Sequence, residues 1–176
     1  MVRAVCHSRR RDDIALYTGN DDNIVADLLT PYRFDIGGKT IEKRFVGGLL
    51  GHWAVWTEKA VALLASIKQS IVGGYDNAAE MLSTSVAVTD MNAAIFDPAH
   101  NFHGCITGVH EVLRRQGLIE GIWTLNPKEN LSPGQAEEIT RVTQAYPHLI
   151  DDEFVASFLE NSKRGQGSSS QKSLMH

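Results

Sequence analysis

Leu16-Tyr17-Thr18-Gly19-Asn20-Asp21-Asp22 and Val46-Gly47-Gly48-Leu49-Leu50-Gly51-His52 are the two stretches that decide the fold. Each begins as a short apolar run and meets glycine within a few residues. That is the pattern of a buried strand, since a helix needs a longer periodic run. Ile14 to Thr18 therefore predicts one strand and Phe45 to Leu50 another, the second unusually rich in glycine. Between them, Asn20-Asp21-Asp22-Asn23 offers capping side chains to a helix carrying Ile24, Val25, Leu28 and Leu29, which Pro31 ends. Phe34 to Ile41 predicts a small hairpin, because Gly37-Gly38 can supply the positive backbone angles of a tight turn.

Outside this block the pattern is helical. Met1 to His7 reads as the end of a helix. Trp56, Ala60, Leu63, Leu64, Ile67 and Ile71 recur at helical spacing and stop at Gly73-Gly74. Ala79, Leu82, Val86 and Met91 suggest a second helix, interrupted by Asp97-Pro98. Phe102, Ile106, Val109 and Leu113 form an apolar stripe, with Gly117 placed where a helix end wants a left-handed residue. Ser132-Pro133-Gly134-Gln135 is a helix start: a capping Ser, then Pro, then Gln three after the Ser. That helix runs through Ile139 and Val142 to Tyr146-Pro147. A last short helix from Asp152 carries Phe154, Val155, Phe158 and Leu159. From Ser162 the composition is Ser, Gly, Lys and Gln, which predicts a disordered tail. Two strands are a poor basis for a sheet, since a buried parallel strand needs neighbours on both sides. The sequence reads like the back portion of something larger.

Composition excludes some classes of function. With a formal net charge of −4 there is no general electrostatic drive toward nucleic acid or an anionic membrane. Arg9-Arg10-Arg11 is followed at once by Asp12 and Asp13 and reads as a solvated helix end. Cys6 and Cys105 have neither metal-ligand nor disulfide-framework spacing. No apolar run approaches the length of about 20 residues that spans a bilayer, and the start lacks the apolar stretch of a secretory signal. The expected compartment is the reducing cytoplasm.

The order strand, acidic turn, helix, glycine-rich strand, long helix and further helices resembles the C-terminal part of the dihydrodipicolinate synthase/N-acetylneuraminate lyase family. Leu16 to Asp22 is similar to its seventh-strand segment, and Val46 to His52 occupies the place of the eighth strand. The helices from Tyr75 to Gly117 and Pro133 to Leu159 match its C-terminal helical extension. Phe34 to Thr40 and Asn126-Pro127-Lys128-Glu129 are similar to runs of a divergent bacterial subgroup described as dihydrodipicolinate synthase-like. The likeness covers roughly Val2 to Leu159.

The resemblance implies an α/β fold: an incomplete C-terminal portion of a (β/α)8 barrel, of which a full copy needs about 250 residues. Residues 1–72 would supply the last two strands with their helices, 73–160 the helical extension, and 161–176 the tail. It also implies a class I aldolase chemistry on a pyruvate-type 2-oxo acid. A lysine on the sixth strand forms a Schiff base and a tyrosine on an earlier strand shuttles protons; the iminium withdraws electrons better than a ketone and stabilises the carbanion. Both precede the aligned part, so the chain alone is expected to be inactive. No cofactor is expected, and a homo-oligomer is. Carried over residue by residue, Gly19, Asn20 and Asp21 match the pocket glycine and acidic pair after the seventh strand, with Asn20 in place of the usual acid. Gly48 and Leu49 match eighth-strand wall positions, and His52 would face the barrel mouth, where substrate-selecting residues sit.

Other side chains invite sharper readings with ordinary counterparts. Asp21, Asp22 and Asp27 could hold a cation, or Asp22 could cap the helix while the others are solvated. His103 and His110, seven apart on one helical face, with His100 nearby, fit surface histidines better than zinc, which wants a four-residue step. Trp53 and Trp56 could form a substrate platform but suit core packing. Lys39 and Lys43 sit beside Glu42, in surroundings that keep an amine protonated. The alternatives to the lyase are a non-enzymatic helical interaction or oligomerisation module, with its apolar faces covered by a partner, and an independent hydrolase or metal enzyme using Asp and His.

Overall fold

The computed structural model describes residues 1–172, with side chains described as far as Arg164. In chain order come α1 (Val2–His7), β1 (Leu16–Thr18), α2 (Ile24–Leu29), β2 (Tyr32–Ile36), β3 (Lys39–Lys43) and β4 (Phe45–Gly48). They are followed by α3 (Thr57–Val72), α4 (Ala78–Phe96), α5 (Cys105–Arg115), α6 (Gln135–Ala145) and α7 (Asp152–Lys172). Short 3-10 turns lie at Gly51–Ala54, between β4 and α3, and at Pro98–His100 and Pro147–Leu149, between helices.

The fold is mixed α/β, mostly helical, with the described strands in two separate two-stranded sheets. β1 and β4 pair in parallel, Tyr17 opposite Gly47 and Thr18 opposite Gly48, with a bulge at Leu16/Tyr17. β2 and β3 are the expected hairpin, turned by Gly37 at φ +58° and Gly38 at φ +77°. Both angles are positive, as the tight hairpin turn demands, and glycine adopts them without a Cβ clash.

The strands are only half-buried, which departs from the sequence reading. Leu16, Thr18 and Phe45 are covered, whereas Tyr17 and Val46 are 56% and 57% exposed. The cause is packing: successive side chains point to opposite faces, and α2 lies against the face carrying Leu16, Thr18 and Phe45, leaving the face of Tyr17 and Val46 open. Tyr17 partly closes that face itself. Its ring lies where a Cβ on Gly47 would be, and its hydroxyl donates to the Gly48 carbonyl at 2.8 Å.

Two apolar clusters hold the molecule together, and α4 belongs to both. Met81 and Val88 of α4 pack with Ile24, Val25, Leu28 and Ile67. Met91 and Ile95 pack with Trp56, Val112, Ile139 and Val142. A helix apolar on several sides is a central one. The first cluster therefore draws residues from both sides of position 72, the boundary that the resemblance implied.

α5 is rotated so that only part of the stripe its sequence predicts is covered: Val109 and Leu113 pack half-buried against the second cluster. Phe102 and Ile106 are 56% and 50% exposed, while Thr107, Gly108, Glu111 and Val112 are buried. Small residues explain the rotation. A Cβ on Gly108 would stand 2.2 Å from the Ile95 carbonyl oxygen, so only glycine lets α5 approach α4 this closely. Glu111 tolerates burial because Arg114 and Arg115 both bond its carboxylate, at 2.8 and 2.7 Å. The Arg114 hydrogen bond, against the opposing effect of burial, holds Glu111 below the usual carboxylate range.

α7 also departs from expectation. Where composition predicted a disordered tail from Ser162, the backbone stays helical to Lys172. Once a helix is nucleated, each further residue adds one bond for one residue fixed. Residues 173–176 of that expected tail lie outside the described residues. No helix among those described is long and apolar enough to cross a membrane.

Candidate functional site

The carboxyl end of the β1/β4 pair brings together part of the expected set. The Leu49 amide donates to the Thr18 carbonyl at 3.0 Å, extending the ladder one residue past β4. This sets Leu49, 58% exposed, beside Gly19, whose missing Cβ would lie 3.6 Å from Leu49 Cδ1. Asn20 follows at the surface. Gly19, Asn20 and Leu49 thus share one open rim, and Asp21 continues the turn, half-buried.

Asp27 of α2 organises that rim. Its Oδ2 accepts from Thr18 Oγ1 at 2.9 Å and from Asn20 Nδ2 at 3.3 Å, while Oδ1 accepts from the Tyr32 hydroxyl at 2.9 Å. Thr18 Oγ1 in turn accepts the Asn20 amide at 3.3 Å. Burial, together with Asp27, pushes Tyr32 up to about 12, so it stays a proton donor at physiological pH. The Asp27 carboxylate is occupied by three protein donors, and no group of three or more potential metal-ligating side chains occurs among the described residues. Asp22 does not cap α2 with its side chain: Asn23 holds the cap position without a side-chain bond, and the Asp22 carbonyl accepts from Thr89.

Gly48 and His52 sit otherwise than the sequence suggested. A Cβ on Gly48 would meet Ile24 Cδ1 at 2.9 Å, so this glycine lets α2 lie against the sheet. With Leu49, Leu50, Trp53 and Leu63 it also lines an apolar cavity of about 380 Å³ between β4 and α3. His52 does not face an open mouth. It is 2% exposed, and Asn92 Oδ1 accepts its backbone amide at 3.1 Å and stands 3.3 Å from its Nδ1. Burial pushes its imidazole down to about 4, with the Asn92 contact opposing, so it is neutral at pH 7. A histidine at a strand end reads as a mouth residue in sequence; the 3-10 turn of Gly51–Ala54 rotates it inward instead.

Trp56 is a core residue, 3% exposed, and holds a left-handed φ of +55°. Trp53 borders the cavity. His103 lies in the turn before α5 and so shares no helical face with His110.

A buried polar cluster that the sequence reading missed joins the ends of three helices. Asp97, 5% exposed, accepts from Ser132 Oγ at 2.5 Å, the Gly104 amide at 3.0 Å and His100 Nδ1 at 2.6 Å. Burial alone would raise its pKa, but these bonds together hold it below the usual carboxylate range. Gln135 Nε2 donates to the Ile95 and Gly104 carbonyls at 3.0 and 2.9 Å, and its Oε1 accepts the Ser132 amide at 3.0 Å. That last bond is half of the expected capping box. Ser132 spends its hydroxyl on Asp97, and Gly134 occupies the cap position. The signal was present in Ser132 and Gln135, but their partner Asp97 is distant in sequence. Asp, His and Ser do meet here, yet Ser and His both bond the carboxylate. The Ser132 hydroxyl donates to Asp97 rather than to the imidazole that would have to take its proton in a hydrolase.

No protein-family model matches the chain, and no curated protein or solved structure is significantly similar to it.

Proposed function

We propose that these residues form the last two strands and the helical extension of a (β/α)8 barrel of the dihydrodipicolinate synthase/N-acetylneuraminate lyase class. On this reading the rim of Gly19, Asn20 and Leu49 is one wall of a site for a pyruvate-type 2-oxo acid. The observation that supports it best is the β1/β4 pair. Two parallel strands are joined through a helix, their carboxyl ends are set side by side, and each has a single neighbour among the described residues. That is the local geometry of adjacent strands in a larger parallel sheet, where ligands bind at the carboxyl ends.

The chemistry needs an amine at that end to form the iminium, and these residues do not place one there. Lys39 and Lys43 lie on β3, and Lys43 Nζ is 3.8 Å from the Asp12 carboxylate. The chain by itself is therefore catalytically silent while keeping part of the binding wall. The test combines two readouts. Pyruvate with borohydride should leave the intact mass unchanged, and millimolar pyruvate should shift the amide resonances of Gly19, Asn20 and Leu49. A reduced adduct at one lysine overturns the silence; pyruvate shifts that spare this rim overturn the wall.

A further inference from the structure

The side of α4 turned away from both apolar clusters is open, and its residues repeat in a regular register. Ala79, Leu82, Val86, Thr89 and Ala93 follow one another at steps of three, four, three and four. That is the seam into which a second helix packs, knobs into holes. Leu82 and Val86 are 54% and 69% exposed, and Ala79 and Ala93 are exposed with them. At 1.5 Å per residue the seam runs for roughly 21 Å. From Leu82 to Ala93 it is the floor of a groove of about 670 Å³. One wall is the turn before α2, where Thr89 Oγ1 donates to the Asp22 carbonyl at 3.1 Å. The other is the end of α6, where Arg141 and the Tyr146 hydroxyl both donate to Asp90 at 2.8 Å.

We propose that this groove docks an amphipathic helix of a partner protein, whose apolar stripe is flanked by Lys and Arg. A helix fits better than an extended peptide: an added strand needs a free sheet edge, and α4 offers only side chains. Charge selects the partner. Asp22, Asp90 and Glu138 stand at the walls with Arg141, three acids and one base, a net of −2. Arg141 is already held by Asp90 and Glu138, both at 2.8 Å, so it does not offset Asp22. No Lys, Arg or His occurs at 12–32 or 69–99, the segments that supply α2 and α4. Such a surface repels nucleic acid and anionic membrane. A second copy meeting through the same face would set acid against acid. A helix with basic flanks instead meets opposite charge at both walls while its stripe fills the seam. The groove is independent of the lyase reading, because its floor is α4 rather than the β1/β4 rim.

The experiment is calorimetric titration of the full chain with two synthetic helical peptides of about 18 residues, long enough to cover the seam. Both carry a Leu stripe at alternating steps of three and four; one is flanked by Lys, the other by Glu. The Lys peptide should bind, shift the methyl resonances of Leu82 and Val86, and lose affinity as salt is raised. The Glu peptide should bind at least about ten-fold more weakly, and Asp22→Lys should narrow that gap. Val86→Asp should weaken the Lys peptide by about ten-fold or more with unchanged helix content. Val72→Asp, at an 89% exposed site on α3 outside the groove, should leave it unchanged. Failure of the Lys peptide to bind overturns the proposal. So do equal affinities for the two peptides, a gap unmoved by Asp22→Lys, shifts that spare Leu82 and Val86, or full affinity in Val86→Asp. Sedimentation velocity covers the remaining occupant: a wild type that self-associates, with a monomeric Val86→Asp, would give the groove to a second copy and overturn the proposal.

Discussion

Lowering the pH should destabilise this protein through His52 before most carboxylates titrate. In the unfolded chain its imidazole takes a proton near pH 6.5; in the folded protein, burial pushes that down to about 4. Between these values the unfolded state binds a proton that the folded state refuses. Stability therefore falls with falling pH across this window, is untouched by His52 above it, and shows the full loss below it. At about 1.4 kcal/mol per pH unit, the drop from 6.5 to about 4 amounts to roughly 3 kcal/mol, a sizeable share of a typical domain's stability. Urea unfolding of wild type and His52→Gln, from neutral pH down to about pH 4, isolates the effect, because the other groups cancel in the difference. The wild type should lose stability more steeply with acid, and the imidazole C–H resonance of His52 should not titrate near pH 6.5. If that resonance moves with an ordinary midpoint, or the two proteins weaken in parallel, the buried neutral imidazole is wrong.

Two further substitutions probe the helical body. Gly108→Ala puts a methyl 2.2 Å from the Ile95 carbonyl oxygen, where overpacking outweighs the gain in helix propensity. A net loss of about 2 kcal/mol, seen as a melting temperature about 4–8 °C lower, is expected, and an unchanged or raised value would contradict the close α4–α5 crossing. Gln135→Ala strips the Ile95 and Gly104 carbonyls and the Ser132 amide of a partner. Chemical denaturation should show roughly 2–4 kcal/mol lost with the same helix content by circular dichroism, and a loss within error of zero would mean water replaces the amide.

Local signals were legible where a residue acts on its own neighbours. Gly37-Gly38 predicts the hairpin because two consecutive positive φ angles need only those two residues. The helices at Thr57–Val72 and Ala78–Phe96 end where Gly73 and Asp97-Pro98 stop them. The candidate rim was legible in part, since Gly19, Asn20 and Leu49 follow from the ends of two strands once these lie parallel. Three things were not legible. The orientation of α5 depends on Gly104 and Gly108 meeting α4 and Gln135, contacts that no stripe along one helix encodes. The fate of His52 depends on Asn92, forty positions on. The Asp97 cluster needs three helix ends to converge.

As far as Leu159 the sequence by itself determined which segments are strand and which are helix, because propensity, capping and periodicity act over a few residues. Only the tertiary structure decided which faces are buried. Burial is set by what arrives from elsewhere in the chain: Tyr17 and Val46 look like core and are exposed because α2 covers only the opposite face of their sheet, while Glu111 looks like surface and is buried because Arg114 and Arg115 neutralise it.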